Sequence, residues 1–335
     1  MSSTYQRFFS NKLTLAMLII FSIYLLLRAI AFFVHQPIHL SGDYFSFEGK
    51  QVRYVCKGSG NPYVFFESGY GDDSEEVWSS ISEQLPRTFT SCYYDRLGHG
   101  GSDNIPTDFT TNQKAQLQAS LIQHVAGDNP VIIVARSYGG IIARHTAARA
   151  NSNLAALILL DSAHENQHEI LRGTFSPIAT HMQVWHYADP ILGISDIKNL
   201  FKKYDSSLAQ RLDQYFSSFR YARVMSAYRN EGGFFTPLED FNYDFGNLKM
   251  VVMSHDREAY KAAPRFYSVG DKWAEMQKSI VQLSHNSEHI VVKGATHNIP
   301  GDAPEVVISK IIETVGIVSN QPSVSIYNKA LKTGS

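Results

Sequence analysis

Residues Val131 to Arg144 read VIIVARSYGGIIAR, and no other stretch of the chain restricts its possible folds so tightly. A run of β-branched apolar residues stops at Ala135-Arg136-Ser137-Tyr138-Gly139-Gly140 and becomes a helical pattern. A strand that turns straight into a helix puts the corner residue at the tip of a sharp bend, where a hydroxyl is open to a carbonyl carbon. Ala135, Gly139 and Gly140 are small, as they must be where the helix doubles back over the strand. Ser137 is therefore the candidate nucleophile.

The surrounding pattern fits such a corner. Asp43 to Gly58 alternates apolar and polar residues around Gly49-Lys50, which predicts an antiparallel hairpin. Strands are expected at Tyr63–Glu67, Thr90–Asp95, Val131–Ala135, Leu154–Leu160, Met250–Met253 and His289–Val292. Helices are expected at Glu75–Leu85, Thr111–Ala126, Tyr138–Ala150, Trp273–Leu283 and Pro304–Val315. Alternation of this kind predicts an α/β fold with a mostly parallel central sheet covered on both faces. It breaks between His164 and Asn247, a stretch rich in aromatics whose apolar spacing is helical, as in Leu208, Leu212, Tyr215, Phe216 and Phe219. That stretch reads as an inserted helical cap.

The first 40 residues do not share this pattern. Leu13 to Val34 is apolar apart from Thr14, Ser22, Tyr24 and Arg28, and at about 22 residues it is near the ~20 that a helix needs to cross a bilayer. Arg28 lies toward its far end, where its side chain can reach the headgroups. Arg7 and Lys12 precede the run, so the amino end is expected in the cytoplasm and the globular part outside it. A cleaved signal peptide and a buried core helix are the competing readings. The expected organisation is a cytoplasmic tail (1–12), a transmembrane anchor (13–34), an α/β core (43–163 and 248–318), a helical cap (164–247) and a frayed tail (319–335).

The net charge of −1, with no basic stripe, gives nucleic-acid binding no support. The two cysteines, Cys56 and Cys92, lack metal-ligand spacing, and no metal or organic cofactor is implied.

Acyl chemistry on Ser137 requires a base, a group to orient the base, and donors for an oxyanion. Among 13 histidines, His297 alone sits in the loop after the last strand, where a base belongs. Two acids compete to orient it. Asp256 follows the first strand after the cap and is preferred; Asp161, at the end of the strand before the cap, is the alternative. Asp271 is a weaker third, since it reads as the N-cap of a helix from Lys272. The backbone N–H groups of Tyr138 and Tyr70 are the expected oxyanion donors, the second lying in the Gly69–Gly71 loop.

At this point the chain resembles serine hydrolases of the α/β-hydrolase fold, over residues 43 to 318. The resemblance rests on Ser68-Gly69-Tyr70-Gly71, on Tyr94 to Ser102 (YDRLGHGGS), on Ala135 to Gly140 and on Gly294 to His297. Residues Asp161 to Gln167 are similar to a bacterial branch whose members often carry a helical cap here. Ala135 departs from the usual first glycine, and Arg136 stands where many members carry histidine. Family members that open epoxides or cleave carbon–halogen bonds use aspartate at this corner, so Ser137 implies acyl transfer to water from a small ester-like substrate. The resemblance also implies that the strands bearing Cys56 and Cys92 pair. A disulfide is then one reading and two buried thiols the other. A hydrolase fold kept only for binding, and a perhydrolase or acyltransferase using the same residues, are the alternative functions.

Overall fold

The computed structural model describes residues 11–26, 40–105, 109–149, 153–171 and 243–320. The chain divides into two compact units, Met1–Pro37 with Ser176–Ser226, and Ile38–Phe175 with Ala227–Ser335.

In the first unit the described residues form one helix, α1 (residues 11–26). Among the described residues no helix is long and apolar enough to cross a membrane. The expected span of 13–34 is thus not found as a transmembrane helix; its residues 27–34 lie outside the described residues. So do most of the expected cap, from 172 to 242, and the tail from 321 onward.

The second unit is built on eight strands: β1 (Asp43–Phe47), β2 (Lys50–Lys57), β3 (Tyr63–Glu67), β4 (Thr90–Tyr94), β5 (Val131–Arg136), β6 (Leu154–Leu160), β7 (Lys249–His255) and β8 (Ser287–Val292). Their order in the sheet is β1-β2-β4-β3-β5-β6-β7-β8. The β1–β2 and β2–β4 pairs are antiparallel and the other five are parallel. The helices are α2 (Ser74–Gln84), α3 (Thr111–Ala126), α4 (Tyr138–Ala148), α5 (Gln167–Ile170), α6 (Pro264–Val281), α7 (Ile299–Asp302) and α8 (Pro304–Ser319).

Strand side chains alternate between two cores, as a period of two requires. Val131, Ile133, Leu157 and Leu159 join Leu117 and Leu121 of α3 and Ile280 of α6 on one face. Ile132, Val134, Ile158 and Leu160 join Trp78 and Ile81 of α2 and Val307 and Ile311 of α8 on the other. With both faces covered, β5 and β6 are apolar at every position up to Ala135 and throughout 154–160, the mark of a buried parallel strand.

Helix α6 begins at Pro264, about nine residues before the expected start, so Asp271 is an interior residue that pairs with Arg257 at 2.5 Å, not a cap. Cys56 and Cys92 stand directly opposite each other on β2 and β4 and are joined by a disulfide.

Candidate active site

The carboxyl ends of β5, β6 and β7 meet the loop after β8, and the site lies there. Ser137, between β5 and α4, has φ 50° and ψ −123°. Its N–H donates to Leu160 O at 3.0 Å, and its carbonyl accepts from Gly140 N and Ala163 N at 2.9 Å each. These bonds hold a backbone conformation that costs a residue with a Cβ about 1–3 kcal/mol. The two glycines behind it are fixed by space. A Cβ on Gly139 would come within 2.4 Å of Ser68 O, and one on Gly140 within 2.0 Å of Ser162 Oγ.

Ser137 Oγ lies 2.9 Å from His297 Nε2. The His297 N–H donates to Tyr260 Oη at 2.7 Å, which fixes the loop after β8. On the other side of the ring, His297 Nδ1 lies 2.5 Å from Oδ2 of Asp161.

The acid beside His297 is therefore Asp161, and the preference for Asp256 is corrected. Asp256 is partly exposed and accepts from the backbone N–H groups of Glu258 and Gly294, both at 3.0 Å. It caps the 3₁₀ turn Arg257–Tyr260 and ties it to the turn after β8. Those two backbone bonds, from Gly294 first, hold its carboxyl below the usual range. The difference from Asp161 follows from strand geometry: successive side chains point to opposite sides, so when His255 turns inward Asp256 turns away.

Asp161 is fully buried, with φ 45°. Its Oδ1 accepts from the His255 N–H at 3.0 Å and the Trp273 Nε1–H at 2.9 Å, and the His255 ring lies against both oxygens. Burial works against its charge, but the hydrogen bonds from His255 and His297 outweigh it and hold the carboxyl well below its ordinary range. Of the described non-glycine residues, only Glu48, Ser137 and Asp161 have positive φ, and two of the three meet here.

The loop after β3 is strapped to the corner. Arg96 Nη1 donates to Ser68 O at 2.6 Å and Nη2 to Gly69 O at 2.7 Å. Arg96 also pairs at 2.7 Å with Glu67, a fully buried carboxylate that Tyr94 and Gln118 bond as well. From the elbow itself, Arg136 Nη1 reaches Asp72 Oδ2 at 2.5 Å, and the same oxygen accepts the Gly69 N–H at 2.8 Å. Gly69 has no room for a side chain, since a Cβ there would lie 2.6 Å from Asp72 Oδ2 and 3.2 Å from Ser137 Cβ. Tyr70 thus follows a residue packed against the serine, and its ring meets that of Tyr138 edge-on at 5.8 Å.

Sequence reasoning missed His255, Tyr260, Trp273 and the Glu67–Arg96 pair. Arg96 lies in a motif read as characteristic but given no role; the aromatic residues carry no local signal. Among the described residues, no three His, Cys, Asp or Glu side chains converge as a metal site.

This sheet order, with a serine elbow after β5 and a histidine after β8, is the α/β-hydrolase architecture. The model of the alpha/beta hydrolase family matches residues 64–310, and the chain belongs to that family. An uncharacterised protein of Bacillus subtilis, YqjL, is 24% identical over 251 residues, covering 75% of this chain and 82% of that protein. Lipase LipV of Mycobacterium tuberculosis is 36% identical over 87 residues, 26% of this chain and 32% of the lipase. Among solved structures, an epoxide hydrolase of Bacillus megaterium, in complex with an inhibitor, matches with a TM-score of 0.60 at 16% identity, covering 82% of this chain and 100% of that one. The last likeness is one of fold.

Proposed function

We propose that this protein is a membrane-anchored serine hydrolase that cleaves a small ester-like substrate through Ser137, His297 and Asp161. One observation carries the reading: Ser137 Oγ, the His297 ring and the Asp161 carboxylate form an unbroken chain of contacts at 2.9 and 2.5 Å. In the reaction, His297 Nε2 takes the proton as Oγ attacks the ester carbonyl. Asp161 keeps the other ring nitrogen protonated and offsets the imidazolium charge. The N–H groups of Tyr138 and Tyr70 receive the oxyanion. His297 then passes its proton to the departing alkoxide, and a water activated by the same ring frees the acid from Ser137. A serine at the elbow favours ester hydrolysis over epoxide opening, despite the fold shared with an epoxide hydrolase.

The apolar run of 13–34 supports anchoring, with the amino end cytoplasmic. The Cys56–Cys92 disulfide favours an extracytoplasmic location for the globular unit, since thiols in the cytosol are kept reduced.

A fluorophosphonate probe tests the chemistry. The full chain should be labelled at Ser137, and Ser137→Ala should lose labelling together with p-nitrophenyl ester turnover, by about 10⁵-fold or more in kcat. Labelling elsewhere, or turnover that survives the substitution, would end the proposal. Anchoring is checked separately: the chain should stay with membranes through alkaline extraction, and release into the supernatant would remove that part of the reading.

A further inference from the structure

Asp161 has more donors than an orienting carboxylate requires. His297 Nδ1 approaches Oδ2 at 2.5 Å from the loop after β8. From β7, His255 Nδ1 sits 2.9 Å from Oδ2 and 3.0 Å from Oδ1, so a single ring nitrogen bridges both oxygens. Trp273 Nε1 and the His255 backbone N–H complete Oδ1, at 2.9 and 3.0 Å. One carboxylate thus serves two imidazoles, only one of which faces Ser137.

The terminal torsion of an aspartate is soft, and a single donor on one oxygen leaves the plane of the carboxylate free to turn. A donor bridging both oxygens removes that freedom. The His255 ring is itself held: its side chain is only 10% exposed, Tyr260 stands edge-on to it at 5.1 Å, and Trp273 lies at 6.2 Å. The same two aromatic residues touch His297, Tyr260 through its hydroxyl and Trp273 by an edge-on contact at 5.5 Å. An Nδ1–H on His255 donates to Asp161 across both oxygens, and Oδ2 also meets His297.

We infer that His255 is a positioning residue for the acid–base pair: its Nδ1–H sets the rotation of the Asp161 carboxylate so that Oδ2 faces His297. The inference rests on the Ser137–His297–Asp161 reading.

The test compares the full wild-type chain with His255→Phe, which keeps a ring but removes the donor, and His255→Asn, whose side-chain N–H takes the place of Nδ1–H. Phenylalanine should lower kcat and the rate of fluorophosphonate labelling at Ser137 by about 10–100-fold with KM little changed, the signature of a displaced catalytic group. Asparagine should recover both rates to within about threefold of wild type. If His255→Phe does not fold by thermal melting, His255→Ala, which leaves space in place of bulk, is read in its stead. Wild-type kcat in the Phe or Ala variant overturns the inference, as does an equal loss in Asn and Phe. A wild-type chain that is not labelled at Ser137 overturns the triad reading and this inference with it.

Discussion

Two aspartates lie just past the ends of neighbouring parallel strands, Asp161 after β6 and Asp256 after β7, and their fates differ. Asp161 is fully buried and is met by two imidazoles, an indole and a backbone N–H. Asp256 is partly exposed and accepts only two backbone N–H groups. Both carboxyls are held below their ordinary range, yet for different reasons: side-chain donors overcoming burial at Asp161, backbone caps at Asp256. A depressed carboxyl thus does not by itself single out the aspartate beside His297; what distinguishes Asp161 is which groups supply the donors.

The largest effect that separates the two is on turnover. Asp161→Asn should lower kcat by about 10³–10⁴-fold, because an amide can stabilise the wrong tautomer of His297 and cannot offset its positive charge. Asp256→Asn should leave kcat within about threefold. Reversed magnitudes in a p-nitrophenyl ester assay would restore Asp256 as the acid.

A second contrast is acid stability. Asp161 is ionised in the fold at a pH where the unfolded chain is already protonated. Its contribution is therefore present above the ordinary carboxylate range and is lost as pH falls through and below it, near pH 4. Denaturant melts from pH 7 to 3 should show a flatter decline for Asp161→Asn than for wild type. Parallel curves would mean that the charge on Asp161 carries no stability.

The smallest effect is the loss of a cap. Asp256→Ala should cost about 0.5–1 kcal/mol, since it frees two N–H groups beside water. A loss of several kcal/mol in thermal melts would mean that the 3₁₀ turn holds the His297 loop in place more firmly than these two bonds account for.

The core was legible in the chain because its elements obey single periods. Val131 to Arg144 shows both the strand and the helix, and the Gly49-Lys50 hairpin appears as read. Ser137 and His297 were found as candidates because a corner serine and a histidine after the last strand are local features. Asp256 was preferred because either aspartate fits a strand-end rule, and which of them meets His297 turns on side-chain parity at His255. The early start of α6 was hidden by Asp271, which reads as the N-cap of a helix from Lys272. Gly270, just before it, is small for want of space: a Cβ there would come within 2.8 Å of the Arg257 side chain. Trp273, Tyr260 and the Glu67–Arg96 pair join residues far apart in sequence, and no window of the chain displays such partnerships.

The positive φ angles at Ser137 and Asp161 bear on how such a protein would age under mutation. At both corners the backbone alone would favour glycine, so selection for activity works against selection for a relaxed main chain. At Asp161 the buried donors would be left without an acceptor, and that penalty guards the residue even when activity no longer matters. Ser137 has no such guard. A lineage released from the need to turn over substrate can exchange Ser137 for glycine and become more stable by doing so, while Asp161 and its two histidines persist. A relative with glycine at the elbow and the rest of the constellation intact would be the expected form of a retired enzyme.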